Sequence, residues 1–413
     1  MGRLLLLLPT TTYRAPDFMQ AAEVLQVEVV VGSDRRQALA DLTPGKTIAL
    51  DFSRPGVAAQ EILEFARRYP LDAVLGVDDD SVVLASVANE ALGLRHNSAS
   101  SVRASRNKLL MRQRFVAKGL PSPGFRPFSI ETDPGEVAGK IRFPCVLKPV
   151  FLSASRGVIR ADDPGSFVSA FERITAFLRR DDVKKKGESP ANEILVEDFI
   201  PGSEVALEGL LIRGELHVLA LFDKPDPLEG PYFEETFYTT PSRLDAGLQE
   251  DIRDATAEAS SAVGLEEGPV HAELRVNSEG VWIVEVAGRS IGGLCSRTLR
   301  FGVGMSLEAL IIRHALGLEI ESAVQSRSDA SGVMMIPVPA KGRLEKVTGL
   351  ELAKAVLGIE DIVMTIPIGE RVEPLPEGSK YLGFIFARED SPERVEAALR
   401  KSYGMLGIGI SDR

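Results

Sequence analysis

The sequence predicts an α/β fold at its start, a doubly wound parallel sheet over residues 1–105, followed by α+β units that end in a small C-terminal α+β domain. Three observations carry this. The runs RLLLLLP, VEVVVG, KTIALD and DAVLGVD alternate with helical stretches around Asp17 to Leu25, Gly56 to Arg68 and Ser81 to Leu92, the order that builds parallel strands with crossover helices. Farther along, HAELRV and VWIVEV are separated by Asn277, Ser278, Glu279 and Gly280, which supply the turn of an antiparallel hairpin. The length, 413 residues with 44% hydrophobic and 26% charged, suits two or three domains with a substantial core.

The first strand, Leu4 to Leu8 ending at Pro9, mimics a signal peptide, but its apolar run falls short of the roughly 7 to 15 residues of a secretory core. It reads as a buried strand, and no run approaches transmembrane length. Asp78, Asp79 and Asp80 fall at a strand's C-terminal end, where open α/β sheets place ligands; capping of the next helix is the alternative. A net charge of −11 argues against nucleic acid as a partner. Arg95, Arg103, Arg106, Arg112 and Arg114 read as a solvated helix face, Lys108 being excepted by its context. Cys145 and Cys295 are the two cysteines, a usage that suits a reducing, cytoplasmic setting. The four histidines lack zinc spacing, and His271 stands out because it shares a strand face with Glu273.

Chemistry concentrates in four segments. Lys108 opens the amphipathic helix KLLMRQRFVAKGL, which stops at Gly119 before Pro121 and Pro123. Lys148 closes the apolar strand FPCVLKP, and in the following FLSASRGVIRADD the small Ser153, Ser155 and Gly157 let backbone N–H groups approach a phosphate while the lysines and Arg156 supply charge. A plain hairpin is the alternative there, and no GxxxxGK(S/T) loop occurs. ILVEDFIPGSEVALEGLL ends a buried strand in Glu197, Asp198, Phe199 and Ile200 and resumes with Glu204 and Glu208, offering an adenine an apolar slot with backbone edges and its ribose a carboxylate. Finally, Glu273 and Glu285 sit at the same phase of the hairpin strands, so two carboxylates can face one space; a hard cation such as Mg²⁺ would resolve their repulsion. A solvated hairpin with incidental acids is the other reading.

In this order the segments resemble the ATP-grasp superfamily of carboxylate-amine ligases over nearly the whole chain. The resemblance implies that Lys108 and Lys148 bind phosphate, Lys148 also serving catalysis, and that LSASRGV (Ser153, Ser155, Arg156, Gly157) is the flexible phosphate loop. It makes Glu197 to Ile200 the adenine hinge, with Glu204 near the ribose. Glu273 and Glu285 match the metal-bridging acids, and Arg289 the arginine that steadies the transferred phosphoryl group and acyl phosphate. Many members read ExNxR at the second acid, whereas this chain reads EVAGR, with Ala287 in place of an amide ligand. An alanine there is similar to bacterial L-amino-acid ligases that make dipeptides. SGVMMIPVPAKGRLEKVTG and VEPLPEGSKYLGFIFARED also look like their C-terminal domain.

Residues 1–105 are then expected to form the N-terminal α/β domain, 106–324 a two-lobed ATP-grasp domain, and 325–413 a C-terminal domain that lids the site. Within the core, Asp163 and Pro164 cap a helix with Phe167, Phe171, Ile174 and Leu178 on its buried face, and RRDDVKKKGESP is an exposed, mobile insert. The implied reaction is ATP-dependent amide formation through an acyl phosphate, releasing ADP and phosphate, with Mg²⁺, or Mn²⁺ in its place, as cofactor. Gly292 and Gly293 leave amides for a substrate carboxylate or oxyanion. In FDKPDPLEGPYFEETFYTTP, Glu234 or Glu235 could take an α-ammonium group, a surface hairpin being the alternative. The expected partners are small carboxylate and amine substrates, amino acids above all, with no nucleic acid or membrane; a homodimer is the expected assembly, though no pattern sets it. A purine-pathway or biotin-carboxylase-like ligase is the rival within enzymes. An ATP-binding sensor with a degenerate site, suggested by Ala287, is the rival outside them.

Overall fold

A computed structural model describes residues 2–37, 43–184, 192–302, 304–320 and 329–412. The first unit runs β1 (Arg3–Leu7), α1 (Ala15–Val24), β2 (Glu28–Ser33), β3 (Thr47–Ala49), α2 (Pro55–Arg68), β4 (Ala73–Gly76) and α3 (Asp79–Leu92). Its strands are all parallel in the order β3-β2-β1-β4. The leucine run explains itself at this level: Leu4 and Leu6 pack with Phe18, Ala21 and Ala22 of α1, while Leu5 and Leu7 pack with Ile62 of α2 and Leu84 of α3. A strand covered on both faces must be apolar at every position, each such side chain being worth roughly 1.5 to 3 kcal/mol on burial.

Next come α4 (Ala99–Arg106), capped by Ser98, and α5 (Lys108–Ala117), capped by Asn107. Then follow β5 (Phe125–Ser129), α6 (Pro134–Ala138), β6 (Cys145–Pro149), β7 (Ile159–Ala161), α7 (Pro164–Leu178), α8 (Asp181–Lys184) and β8 (Glu193–Asp198). The strands make an antiparallel sheet ordered β5-β8-β6-β7. The helix α7 buries Phe167, Phe171, Ile174 and Leu178 against it and begins with an Asp163–Ser166 capping box, as the sequence predicts. Of the charged insert, α8 is described, and residues 185–190 lie outside the described residues.

The rest of the chain is β9 (Ser203–Ile212), β10 (Glu215–Asp223), β11 (Phe237–Thr240), α9 (Ala246–Val263), β12 (Gly268–Asn277), β13 (Gly280–Ala287), α10 (Leu307–Ala315), β14 (Ala330–Ile336), β15 (Gly342–Thr348), α11 (Leu350–Lys354), β16 (Ile359–Met364), β17 (Arg371–Val372), β18 (Gly383–Glu389), α12 (Pro392–Tyr403) and β19 (Gly407–Ser411). Eight strands join one antiparallel sheet, β13-β12-β9-β10-β11-β14-β18-β16, and β17-β15-β19 form a small one. The large sheet therefore does not stop where a C-terminal domain is expected to begin: β11 pairs with β14 from Phe237 to Thr240 and carries it into the last third of the chain. The expected boundary at 324 lies outside the described residues. Among those described, no helix is long and apolar enough to cross a membrane.

Candidate functional site

Two lobes meet over an open-mouthed cavity lined by residues of both. One wall comes from β6, β8 and α5. Lys108 and Arg112 are four residues apart on α5, hence on one helical face, and both are buried with Met111 and Phe115. Arg112 donates from Nε to Glu197 Oε1 at 2.7 Å and from its two Nη atoms to the carbonyls of Ile283 and Val284, both at 2.8 Å. Lys148 Nζ donates to Glu197 Oε2 at 2.6 Å. Burial alone would raise the Glu197 carboxyl, but the charges of Arg112 and Lys148 hold it down at about 2. For Lys148, burial outweighs the attraction of a carboxylate it shares with Arg112, so its ammonium is held below the usual lysine range.

The opposite wall is acidic. Glu273 and Glu285 are register partners on β12 and β13, beside a bulge at Glu273/Leu274. Glu285 lies 3.2 Å from Lys108 Nζ, which also donates to the Leu152 carbonyl at 2.7 Å. Carboxylate oxygens of Glu204, Glu235 and Glu273 lie within 4.8 Å of one another. Lys224 stands among them, donating to Glu204 Oε1 at 2.7 Å and to Glu235 Oε1, with Glu273 Oε1 at 3.7 Å. Burial would lower Lys224, but these carboxylates push it well above the ordinary lysine value. Burial and the neighbouring Glu273 push Glu235 up to about 7, while Glu273, sharing Lys224 and His271, is held well below the usual range. Arg275 completes this side, donating to Glu204 Oε2 at 3.0 Å and to the carbonyls of Ile200 and Leu228.

Arg289 enters just past the end of β13. Its Nε is 2.9 Å from Asp79 Oδ1, and its Nη1 donates to the Ser290 carbonyl at 3.0 Å. Burial would lower Arg289 and raise Asp79, but their mutual attraction wins on both sides: Asp79 sits at about 2 and Arg289 above its usual value. Between Leu152 and Gly157 the loop is tight, with Ala154 and Ser155 at φ of 57° and 53°, a left-handed conformation that costs non-glycine residues roughly 1 to 2 kcal/mol each. Gly157 follows at φ 68°, where an added Cβ would approach Pro149 Cγ to 2.7 Å.

Of the residues singled out in the sequence, the cavity brings together Lys108, Lys148, Ser153, Ser155, Glu197, Asp198, Phe199, Ile200, Glu204, Glu235, Glu273, Glu285 and Arg289. It does not include Arg156, Gly157, His271, Gly292 or Gly293. Several of these side chains already have partners within the chain. The Glu197 side chain is consumed by Arg112 and Lys148, so only its backbone is left for a hinge, and that backbone is paired with β5 and β6. The Glu204 carboxylate is held by Lys224 and Arg275 rather than standing open to a ribose. Arg156 turns away, its guanidinium over the Phe177 ring and its Nε donating to the Glu377 carbonyl at 3.2 Å. The N–H groups of Arg156, Gly157 and Val158 already donate to Ser153, Pro376 and Ser155 carbonyls. His271 is engaged by Glu208 Oε2 at 3.1 Å and lies 3.8 Å from Glu273; burial would lower it, but these acids raise it to about 9.

Sequence reasoning missed Arg112, Lys224, Arg275 and the reach of Asp79. Arg112 was assigned to a solvated face and is 1% exposed. The signal was available in its spacing from Lys108. Lys224 repeats the pattern that marked Lys148, a lysine at the end of an apolar strand with proline next.

Comparison with known proteins adds three family matches and several relatives. Family models match three stretches: an ATP-grasp N-terminal domain over residues 19–96, an ATP-grasp domain over 141–298, and an L-amino acid ligase C-terminal domain over 334–410. The chain is 29% identical over 238 residues to dapdiamide A synthase of Enterobacter agglomerans, covering 57% of this chain and 54% of that protein. It is 26% identical over 303 residues to alanine–anticapsin ligase of Bacillus subtilis, covering 69% and 63%. The chain thus spans between half and two thirds of the length of these curated relatives. Among solved structures, L-amino acid ligase from Bacillus licheniformis superposes with a TM-score of 0.83 at 27% identity, covering 100% of this chain and 99% of that one.

Proposed function

Since the chain is a member of the ATP-grasp superfamily, with that superfamily's mixed α/β fold, we propose that it is an ATP-dependent carboxylate–amine ligase that joins amino-acid-like substrates in the cytoplasm. One substrate's carboxylate oxygen attacks the γ-phosphorus of ATP, ADP leaves, and an amine then attacks the acyl carbon and displaces phosphate. The observation that carries this reading is the convergence of Lys108, Lys148, Glu273, Glu285 and Arg289 on one cavity, from elements far apart in the chain.

No covalent protein nucleophile is needed; the chain positions charge. Lys148 has only a share of Glu197, so its ammonium has capacity for phosphate oxygens, and Lys108, at the mouth of the left-handed loop, adds a second. The Arg289 guanidinium, fixed on one side by Asp79, lines the cavity, where it would meet the transferring group. The donor set fits a hard divalent cation: Glu273 and Glu285 are register partners on adjacent strands, every donor is a carboxylate oxygen, and Glu204, Glu235 and Glu273 bring oxygens within 4.8 Å of one another, offset in part by Lys224, Arg275 and His271. Glu273 and Glu285 would hold Mg²⁺, which would supply positive charge to offset that of the phosphates. Glu235, which lines the cavity beside Lys224, would take the amine substrate's ammonium.

The test is phosphate release from ATP across all pairs of proteinogenic amino acids, with chromatography of the spent nucleotide. ADP produced together with a dipeptide is expected for at least one pair. AMP as the stoichiometric product, or ATP binding without turnover under every pair, would overturn the reading.

A further inference from the structure

We propose that Asp79, on the N-terminal parallel-sheet unit, is a positioning residue for Arg289, so that this unit sets the direction of the guanidinium in the reaction. The inference rests on the function proposed above for Arg289 and adds the device that aims it.

Three features support it. First, the contact is direct and shielded: Asp79 Oδ1 lies 2.9 Å from Arg289 Nε, and the two side chains are 22% and 13% exposed. A carboxylate on Nε fixes the plane of a guanidinium, a rigid fork whose remaining N–H donors then point in set directions. Second, Asp79 cannot drift. It is the first residue of α3, its neighbour Asp78 donates its N–H to Ser81 Oγ at 3.3 Å, and a Cβ on Gly76 would lie 2.7 Å from the Ser81 and Val82 backbone, so the β4-to-α3 turn is closed up against the helix. Third, a parallel clasp ties the same two segments together. Arg14, 4% exposed, donates from Nη1 to the Val77 carbonyl at 2.7 Å and from Nη2 to Ser290 Oγ at 2.8 Å. The residue before Asp79's turn and the residue after Arg289 are therefore held in register.

Asp79 need touch neither nucleotide nor substrate, so its loss should act on turnover and not on ATP affinity. The experiment compares Asp79→Asn, Arg289→Lys and the double variant, reading phosphate release with ATP and the amino-acid pair that the unmodified chain uses fastest. Asp79→Asn should lower kcat on the order of a hundredfold, the cost of misplacing a catalytic group by about an ångström, with the KM for ATP near its original value. In the double variant the loss should equal that of Arg289→Lys alone, because the two act as one unit. Glu90→Gln, exposed at the far end of α3, should leave kcat unchanged. Unchanged kcat in Asp79→Asn, or losses that multiply in the double variant, would overturn the inference while leaving the ligase reading intact. Full turnover in Arg289→Lys would overturn the role of Arg289, and the inference with it. Should Asp79→Asn fail to fold, Asp79→Glu carries the same comparison with the charge retained one methylene farther out.

Discussion

Lys148 and Lys224 occupy the same place in the sequence pattern, a lysine at the end of an apolar strand with proline next, yet the fold sets them in opposite electrostatic frames. Around Lys148 cations are in excess: Arg112 and Lys148 share the one carboxylate of Glu197, and burial holds the ammonium below its usual value. Around Lys224 carboxylates dominate: Glu204, Glu235 and Glu273 surround its ammonium and raise it, while Arg275 also holds Glu204 and His271 stands 3.8 Å from Glu273. The first lysine can accept an anion without losing a partner. The second is an internal counter-ion, tied to the acids around it. A lysine before a proline thus meets one carboxylate shared with an arginine in the first case and three carboxylates in the second, and the difference lies in what the other strands bring.

The largest expected effect breaks this comparison at its acidic end. Lys224→Met leaves three buried or half-buried carboxylates without their ammonium and should cost about 3 to 5 kcal/mol at neutral pH, the usual penalty for stripping one partner from a buried ion pair. Mild acid should restore part of it, since Glu235, already raised to about 7, takes up a proton first. Lys148→Met leaves Glu197 to Arg112, so it should lose ATP binding with less stability. Denaturant titrations with calorimetric ATP binding decide the matter, and equal stability losses would mean that the frames do not differ.

Slightly smaller is the expected effect of Glu285→Gln, which keeps shape and removes one negative charge facing Lys108. Turnover should fall by roughly two to three orders of magnitude, about 2.7 to 4 kcal/mol, and recover in part as Mg²⁺ is raised. Full activity at an unchanged Mg²⁺ requirement would remove the acid from the metal site. At the cationic wall, the Glu197 carboxyl is depressed from 4.5 to about 2, so its contribution, on the order of 3 kcal/mol, is complete above the unfolded value near 4.5 and is lost as pH falls through about 2. Melting temperatures from neutral pH into acid should show that slope in the unmodified chain and a shallower one in Glu197→Gln. Least affected should be Glu279→Gln, exposed in the hairpin turn, expected within about 0.5 kcal/mol of the parent and at full activity.

Much of the architecture was legible because it is written in short-range terms. Leu4 to Leu7 alternate between the two faces of a covered strand, Asp163 and Ser166 form a local cap, and the Asn277–Gly280 turn fixes the register that brings Glu273 opposite Glu285. What the sequence hid is pairing across distance. Arg112 reaches Glu197 85 residues away, and its charge reads as solvated although it shares a buried helical stripe with Lys108, Met111 and Phe115. Glu197 and Glu204 carry the right residue type for a nucleotide site, but residue type cannot say whether a carboxylate is already spoken for; Arg112, Lys148, Lys224 and Arg275 decide that only once the lobes close.

The pairing of β11 with β14 has a consequence for any attempt to dissect the chain. β11 meets β10 only at Asp223 with Thr239, whereas it meets β14 along its whole length, so its hydrogen-bonding groups are satisfied chiefly from the C-terminal side. A fragment ending before Ala330 would present Phe237 to Thr240, three of them now buried, as a bare sheet edge of the sort that recruits other chains. The segment from Ala330 on therefore acts as an edge protector. Shortened versions of the protein should be expected to self-associate before they lose their secondary structure.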